Sequence, residues 1–330
     1  MLYDIICIMI CPKCRGELIW DITKRVGNRV EEAKIRCASC KEEYNVHDGI
    51  GEFIKECNES KGVDNFLDNR SSLLNISEET KKALLEASLN SLNASDLSFY
   101  ADLMRERGKV KTAAKVKILE RNKKFSKEYY NIIEKQFENV SNLIKDDGYI
   151  LDIATGRGSF LKHLLEKHDN HIVGSDISLT GLSDLKKELI AMGKYDRVSL
   201  FAFNGKAIPF RDNSFNIATS FYGIGHITNV ELFIREVTRI IQNKFLSIEN
   251  LYFEDGSENT RRIYELGWED KFENKLVPNI EKLGLDVNIE NPHIVKINPT
   301  PVSEYVKIPV NSLPVVETEV KSCTIIIKKK

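Results

Sequence analysis

Between Tyr149 and Leu161 the chain runs Tyr-Ile-Leu-Asp-Ile-Ala-Thr-Gly-Arg-Gly-Ser-Phe-Leu, and no other stretch constrains its fold as tightly. Ile150, Leu151 and Ile153 form a short apolar run of the kind buried in a parallel sheet. Gly156 and Gly158 then allow a sharp turn and a close approach of backbone to a ligand. Phe160, Leu161, Leu164 and Leu165 recur at helical spacing, so the segment reads as strand, turn and helix. About 20 residues further on, His171 to Asp176 is a second strand ending in a carboxylate, placed to accept hydrogen bonds from a ribose diol.

The glycine count separates two cofactor classes. A dinucleotide fingerprint, G-x-G-x-x-G, needs a third glycine for close packing of helix on strand, and here Leu161 stands in that place. Asp152, four residues before Gly156, instead resembles the first motif of class I S-adenosylmethionine-dependent methyltransferases, D-x-G-x-G-x-G, with Ala154 replacing the first glycine as it does in ubiquinone and menaquinone C-methyltransferases. Leu200 to Phe210 is similar to that family's segment after the third strand, with Asn204 where Asp is usual; an Asn oxygen can still accept a hydrogen bond. Arg211 to Phe221 resembles its turn and fourth strand, and Tyr222-Gly223-Ile224-Gly225-His226-Ile227 its following segment.

The resemblance covers residues 126 to 255 and implies an α/β domain, a Rossmann-like seven-stranded sheet with helices on both faces. It implies S-adenosylmethionine held by Asp152, Ala154, Thr155, Gly156, Gly158, Asp176, Ile177, Asn204, Gly205 and Phe221. Methyl transfer from a sulfonium is an in-line displacement, and the enzyme's main work is alignment of nucleophile and methyl group. Where a base is needed, His226 has the pKa suited to it near neutrality, with Tyr222 beside it; His226 could equally cap the following turn or pack beside the cofactor. Tyr252 and Glu254, beyond a fifth strand at Lys244 to Leu251, are further candidates. The N/D-P-P-Y/F motif of amino-directed nucleic-acid methyltransferases is absent, which disfavours exocyclic base amines as acceptors.

A second feature lies at the other end. Cys11-Pro12-Lys13-Cys14 and Cys37-Ala38-Ser39-Cys40 are two knuckles separated by 22 residues. Four thiolates at this spacing satisfy a tetrahedral Zn²⁺ whose closed shell is structural rather than catalytic. Glu17 to Trp20 and Ala33 to Arg36 read as ribbon strands joined through Gly27-Asn28. The pattern is similar to the small zinc-ribbon activator subunit of eukaryotic and archaeal methyltransferases, and the ribbon-then-methyltransferase order is shared with large-subunit rRNA guanine-N1 methyltransferases, whose knuckle spacing is shorter. Some 55 residues hold too little core to fold unaided, so zinc is expected to supply much of the ribbon's stability. Cys7, Cys57 and Cys323 fall outside the pattern and read as small buried residues.

The sequence therefore divides into a ribbon at 1–56, a helical linker or lid at 57–125 and a methyltransferase domain at 126–330. The middle segment carries apolar residues at helical spacing, with Ser77 as a plausible cap. Arg105 to Lys127 holds ten Lys or Arg against Glu106 and Glu120 only, with Arg107, Lys111 and Lys115 on one helical face. That face is either an RNA phosphate grip or a solvated surface. Net charge of −1 leaves no general pull on a polyanion, no run approaches the ~20 apolar residues of a membrane span, and no export signal is visible, so a cytoplasmic protein is expected. Leu285 to Ile289 and Cys323 to Ile327 read as a closing antiparallel pair, with Asn298 to Pro314 inserted between as a substrate wall or a surface loop. The methyl acceptor, whether small molecule, peptide or RNA, and the oligomeric state are not encoded legibly, and the alternative to an enzyme is a zinc-ribbon adaptor that uses the methyltransferase fold as scaffold or cofactor sensor.

Overall fold

The computed structural model describes residues 1–54, 76–145, 148–227 and 229–330. Strands β1 (Leu18–Val26), β2 (Arg29–Cys37), β3 (Glu43–His47) and β4 (Ile50–Glu52) come first. After the helices α1 (Glu78–Glu86), α2 (Ala94–Glu106), α3 (Val110–Lys124) and α4 (Lys127–Leu143), strands and helices alternate: β5 (Ile150–Ile153), α5 (Ser159–Lys167), β6 (Ile172–Asp176), α6 (Leu179–Ala191), β7 (Val198–Ala202), β8 (Phe215–Phe221), α7 (Val230–Ile240) and β9 (Ile241–Tyr252). Helices α8 (Glu258–Leu266) and α9 (Glu273–Glu281) precede the closing pair β10 (Leu285–Ile297) and β11 (Thr318–Lys329). Among the described residues no helix is long and apolar enough to cross a membrane.

Among the described residues the strands join one sheet of eleven, ordered β1-β2-β3-β4-β7-β6-β5-β8-β9-β11-β10. The seven expected strands are its larger part: β7-β6-β5-β8-β9 run parallel, and β11 enters antiparallel between β9 and β10. The count of seven is corrected to eleven because the ribbon does not stand apart. Its last strand, β4, pairs in parallel with β7, Gly51 opposite Phe201, and the Phe53 N–H continues the ladder to the Ala202 carbonyl at 2.8 Å. A Cβ on Gly51 would lie 2.5 Å from the Phe201 ring, so this seam requires glycine.

One face of the sheet is packed by Phe233, Ile234 and Val237 of α7, by Leu276 and Ile280 of α9, and by the ribbon's own apolar residues, Met1, Ile5, Ile35 and Tyr44. Phe53 stacks on Tyr44 with centroids 5.0 Å apart and reaches Phe201, which packs edge-on against Phe210. The opposite face is covered by α4, α5 and α6 through residues such as Val140, Leu164 and Leu185. At Gly174 in β6, a Cβ would meet Leu161 at 2.7 Å; the close approach of helix to strand that a third loop glycine gives in the dinucleotide fingerprint is supplied here from the strand side.

Helices α1 to α3 form a separate apolar cluster around Leu84, Leu97, Phe99, Leu103 and Val116. Ser77 caps α1 as expected, its hydroxyl accepting from the Thr80 N–H at 3.1 Å. The inserted 298–314 segment packs onto this cluster: Ser95 Oγ donates to the Pro301 carbonyl at 2.5 Å, Ser303 Oγ to Asp96 Oδ1 at 2.5 Å, and the Val310 N–H to Ser95 Oγ at 3.0 Å. Two stretches some 200 residues apart thus build one cap.

Candidate functional site

The loop after β5 is strained in a telling way. Ala154 holds φ at +56°, in the left-handed region that favours glycine, which is the residue its position usually carries in the methyltransferase motif; Gly156 and Gly158 follow at +55° and +70°. Asp152, 1 % exposed, accepts from Thr155 Oγ1 at 2.7 Å and from Thr219 Oγ1 at 2.8 Å. Burial pushes its pKa up to about 6 against the pull of these two hydroxyls, and the neighbouring Asp176 charge adds to the rise. Asp176, at the end of β6, accepts from the Gly156 N–H at 2.7 Å and the Ser178 N–H at 2.9 Å, tying the loop to the second strand. Each of its carboxylate oxygens can accept more than one hydrogen bond.

Ile177 and Leu179 are exposed beside that carboxylate, and nothing lies within 4 Å of the Cβ position of Gly156, so the loop has an open apolar shelf next to an acceptor. Asn204 turns its oxygen to the Lys206 N–H at 3.0 Å, and Gly205 packs against Phe233. Phe221 ends β8 and lies 4.1 Å from Tyr222, centroid to centroid. These residues sit at the C-terminal ends of neighbouring parallel strands, where open α/β sheets bind ligands.

Tyr222 and His226 occupy different surroundings. Tyr222, at φ +63°, is hydrogen bonded to Tyr129 of α4, the two hydroxyls 2.6 Å apart, and Asn250 donates to Tyr129 at 3.3 Å. Burial raises the pKa of both phenols, so neither is an anionic base at neutral pH. His226 ends the short 3₁₀ turn Ile224–His226 and meets Trp268 edge-on at 5.9 Å. Crowding by neighbouring atoms and then the Lys271 ammonium lower its pKa; the residue keeps access to solvent and is neutral at pH 7. Tyr252 is buried, and Glu254 is occupied by Tyr264 and Asn274 at the surface.

Several residues escaped sequence reasoning. Arg157, between the two glycines, donates to Asp102 on α2, which also accepts from Arg105 at 2.8 Å. This links the cap directly to the glycine loop after β5, and only the placement of an Arg inside the loop could have hinted at it. Thr219 and Glu249 lie in strands placed from the sequence but without a role assigned there, and Trp268 and Lys271 belong to no motif. Of the ten cations between Arg105 and Lys127, half are engaged inside the molecule: Arg105 with Asp102, Lys117 with Glu120, Arg121 with Glu134, Lys123 with the Asn90 and Leu92 carbonyls, and Lys124 with Asn311. Arg107 falls outside α3, past the left-handed Gly108, so it does not continue the face of Lys111 and Lys115.

At the knuckles, the four sulfurs of Cys11, Cys14, Cys37 and Cys40 lie within 4.8 Å of one another, with Cys11 to Cys40 at 3.7 Å and Cys14 to Cys37 at 3.5 Å. Thiolates about 2.3 Å from a tetrahedral Zn²⁺ stand about 3.8 Å apart, so the donor set and its spacing fit that ion. Tyr44 Oη lies 3.4 Å from Cys11 Sγ, an outer partner for the cluster. Cys323 is buried as expected; Cys7 is exposed, its thiol bonded to the Asp4 carbonyl in the 3₁₀ turn that opens the chain; Cys57 lies outside the described residues.

Strand order, glycine loop and the carboxylates at the ends of β5 and β6 resemble the arrangement of class I, S-adenosylmethionine-dependent methyltransferase domains. Residues 151–244 match the family model for a methyltransferase domain. The chain is 32% identical over 134 residues to the uncharacterized protein MJ1252 of Methanocaldococcus jannaschii, covering 40% of this chain and 48% of that one. It is 32% identical over 110 residues to the ubiquinone/menaquinone biosynthesis C-methyltransferase UbiE of Rickettsia bellii, covering 30% of this chain and 43% of the relative. It thus spans about half the length of the curated relatives it matches. Among solved structures it is similar to the YcgJ protein of Bacillus subtilis, at a TM-score of 0.49 and 16% identity over 60% of this chain and 99% of that one.

Proposed function

We propose that the protein transfers a methyl group from S-adenosylmethionine to a small-molecule acceptor, and that its ribbon holds a structural Zn²⁺. The observation that carries the reading is the convergence of Asp152, the Gly156–Gly158 loop, Asp176 and Asn204 at adjoining strand ends within the matched domain. The cofactor supplies an activated methyl group on a sulfonium. In this reading Asp176 accepts from the ribose hydroxyls, Asn204 from the adenine amino group, and the Gly156 backbone lies against the ligand. Asp152 is held by Thr155 and Thr219 as an ionisable group at the methionine end. Tyr222 and neutral His226 flank the acceptor side; crowding and then the Lys271 ammonium hold the His226 pKa down to about 3, below the near-neutral value expected of a base, so His226 serves as a hydrogen-bond partner of the acceptor.

A small acceptor is favoured over RNA because half of the basic stretch already serves internal contacts. Relatives named as C-methyltransferases of ubiquinone and menaquinone biosynthesis point the same way. Four closely spaced free thiols suit a reducing compartment, and we place the protein in the cytoplasm.

The test is release of S-adenosylhomocysteine when the zinc-loaded protein and S-adenosylmethionine are incubated with cell extract, before and after nuclease. Activity should survive nuclease and be lost with Asp176→Ala. Loss of activity on nuclease treatment would transfer the acceptor to RNA; cofactor binding with no turnover in any extract would make the domain a scaffold or sensor in an adaptor protein.

A further inference from the structure

Beyond the ends of β8 and β9 lies a cluster that no motif announces. Lys271 closes the short 3₁₀ turn Glu269–Lys271, and its ammonium stands 5.3 Å from the centre of the Trp268 ring. It is half-buried, yet makes no hydrogen bond or close ion pair among the described residues. Trp268 is only 9 % exposed, and its indole N–H is buried without a partner. A half-buried ammonium and a buried indole N–H therefore meet at Trp268, with no acceptor for either among the described residues. Buried donors are almost always satisfied, so the unpartnered Trp268 N–H beside the Lys271 ammonium calls for an oxygen from elsewhere.

The surroundings are arranged around the cation. A Cβ on Gly225 would come within 2.6 Å of Lys271 Nζ, so glycine there makes room for the ammonium. Glu249, 3 % exposed on β9, spends Oε1 on the Ser247 hydroxyl at 2.8 Å and the Ile224 N–H at 3.0 Å. Its Oε2 lies 3.4 Å from the same Gly225 position, which puts negative charge near Lys271 without hydrogen bonding to it. Glu249 thus offsets the cost of a half-buried cation and anchors the turn that carries His226, without hydrogen bonding to either donor.

We propose that Lys271 binds an anionic oxygen of the methyl acceptor, a carboxylate or an enolate, with the Trp268 N–H as its second donor and Glu249 as a positioning residue. The assignment of this site to the acceptor rests on the methyl-transfer reading above; the anion site itself does not. During transfer the bond from sulfur to methyl breaks as the acceptor's electron pair forms the new one. The sulfur keeps the electrons of the broken bond as S-adenosylhomocysteine, the anionic acceptor has already given its proton to solvent, and the Lys271 charge stays beside the acceptor oxygen.

Trp268 is one of two tryptophans, so Trp20→Phe leaves it as the sole indole reporter. Its emission is followed during titration with benzoate, with 4-cyanophenolate, and with benzamide as the neutral counterpart. A saturable response to either anion and none to benzamide is expected, and which anion binds separates carboxylate from enolate recognition. Lys271→Met should weaken anion binding about tenfold or more, and Lys271→Arg should keep it within about threefold. S-adenosylhomocysteine affinity should be unchanged in both, which also reports an intact fold. Equal responses to benzamide and the anions, or an unchanged response in Lys271→Met, would overturn the proposal. Absence of cofactor binding in the Trp20→Phe protein alongside an intact anion response would sink the methyltransferase reading alone.

Discussion

The ribbon and the helical cap are both additions to the same domain, yet they are joined to it by different physics. The ribbon enters through backbone: β4 extends the ladder of β7, and the ribbon's apolar residues share a core with α7 and α9. The cap keeps its own apolar cluster, its two stretches joined by the serine bonds to the 298–314 segment, and side chains fasten it to the domain, chiefly through the Asp102–Arg157 contact. Ladder bonds and a common core make one cooperative unit, whereas a few polar contacts allow local opening at lower free energy. The difference teaches that the ribbon is an extension of the sheet, whereas the cap is a unit of its own that can open separately.

Metal removal should have the largest effect. Chelation, or Cys37→Ser with Cys40→Ser, should release one Zn²⁺ per chain and cost on the order of 5 kcal/mol in a chemical unfolding titration. Because the ribbon shares the sheet, the loss should spread to β7; hydrogen exchange that rises in residues 1–54 alone would break the comparison. Asp102→Asn should come next, leaving Arg105 and Arg157 without their carboxylate. Cap opening should become easier by about 2–4 kcal/mol, read as faster exchange in α1 to α3 with the sheet unchanged. Cofactor affinity should fall as the loop loses its tie; uniform acceleration across sheet and cap would instead mean that both are one unit.

Asp152 provides a control that belongs to neither addition. Its folded pKa lies near 6, above the unfolded value of 3.8, so the native state binds the extra proton between these limits. Its contribution is fully present below pH 3.8 and is lost as pH rises through 6, by up to about 3 kcal/mol. The stability of Asp152→Asn relative to the parent should therefore grow between pH 4 and about 6.5 and then level off. A flat difference would mean that the carboxyl titrates near its ordinary value. The smallest change is expected from Gly51→Val at the seam, where overpacking against Phe201 should cost about 1–3 kcal/mol and loosen the ribbon while the cap keeps its protection.

The polypeptide's local chemistry was a good guide wherever neighbours in sequence are neighbours in space. The strand at Ile150, the turn at Gly156, the carboxylate of Asp176, the cap at Ser77 and the two knuckles were all legible because periodicity and turn chemistry act over a few residues. The closing pair β10 and β11 was legible too, though both strands run longer than their apolar centres. Cys7 was misjudged because composition does not say which side of a turn meets solvent.

What only the tertiary structure decided is every meeting of distant segments. No sequence rule places Asp102 against Arg157, Ser95 against Pro301, Gly51 against Phe201 or Lys271 over Trp268, because each pairing depends on how the sheet stacks its helices. Motif chemistry is a short-range property and survives in one dimension. The attachment of ribbon and cap, and the donors left open beside Gly225, arise from packing, which exists only once the whole chain is closed.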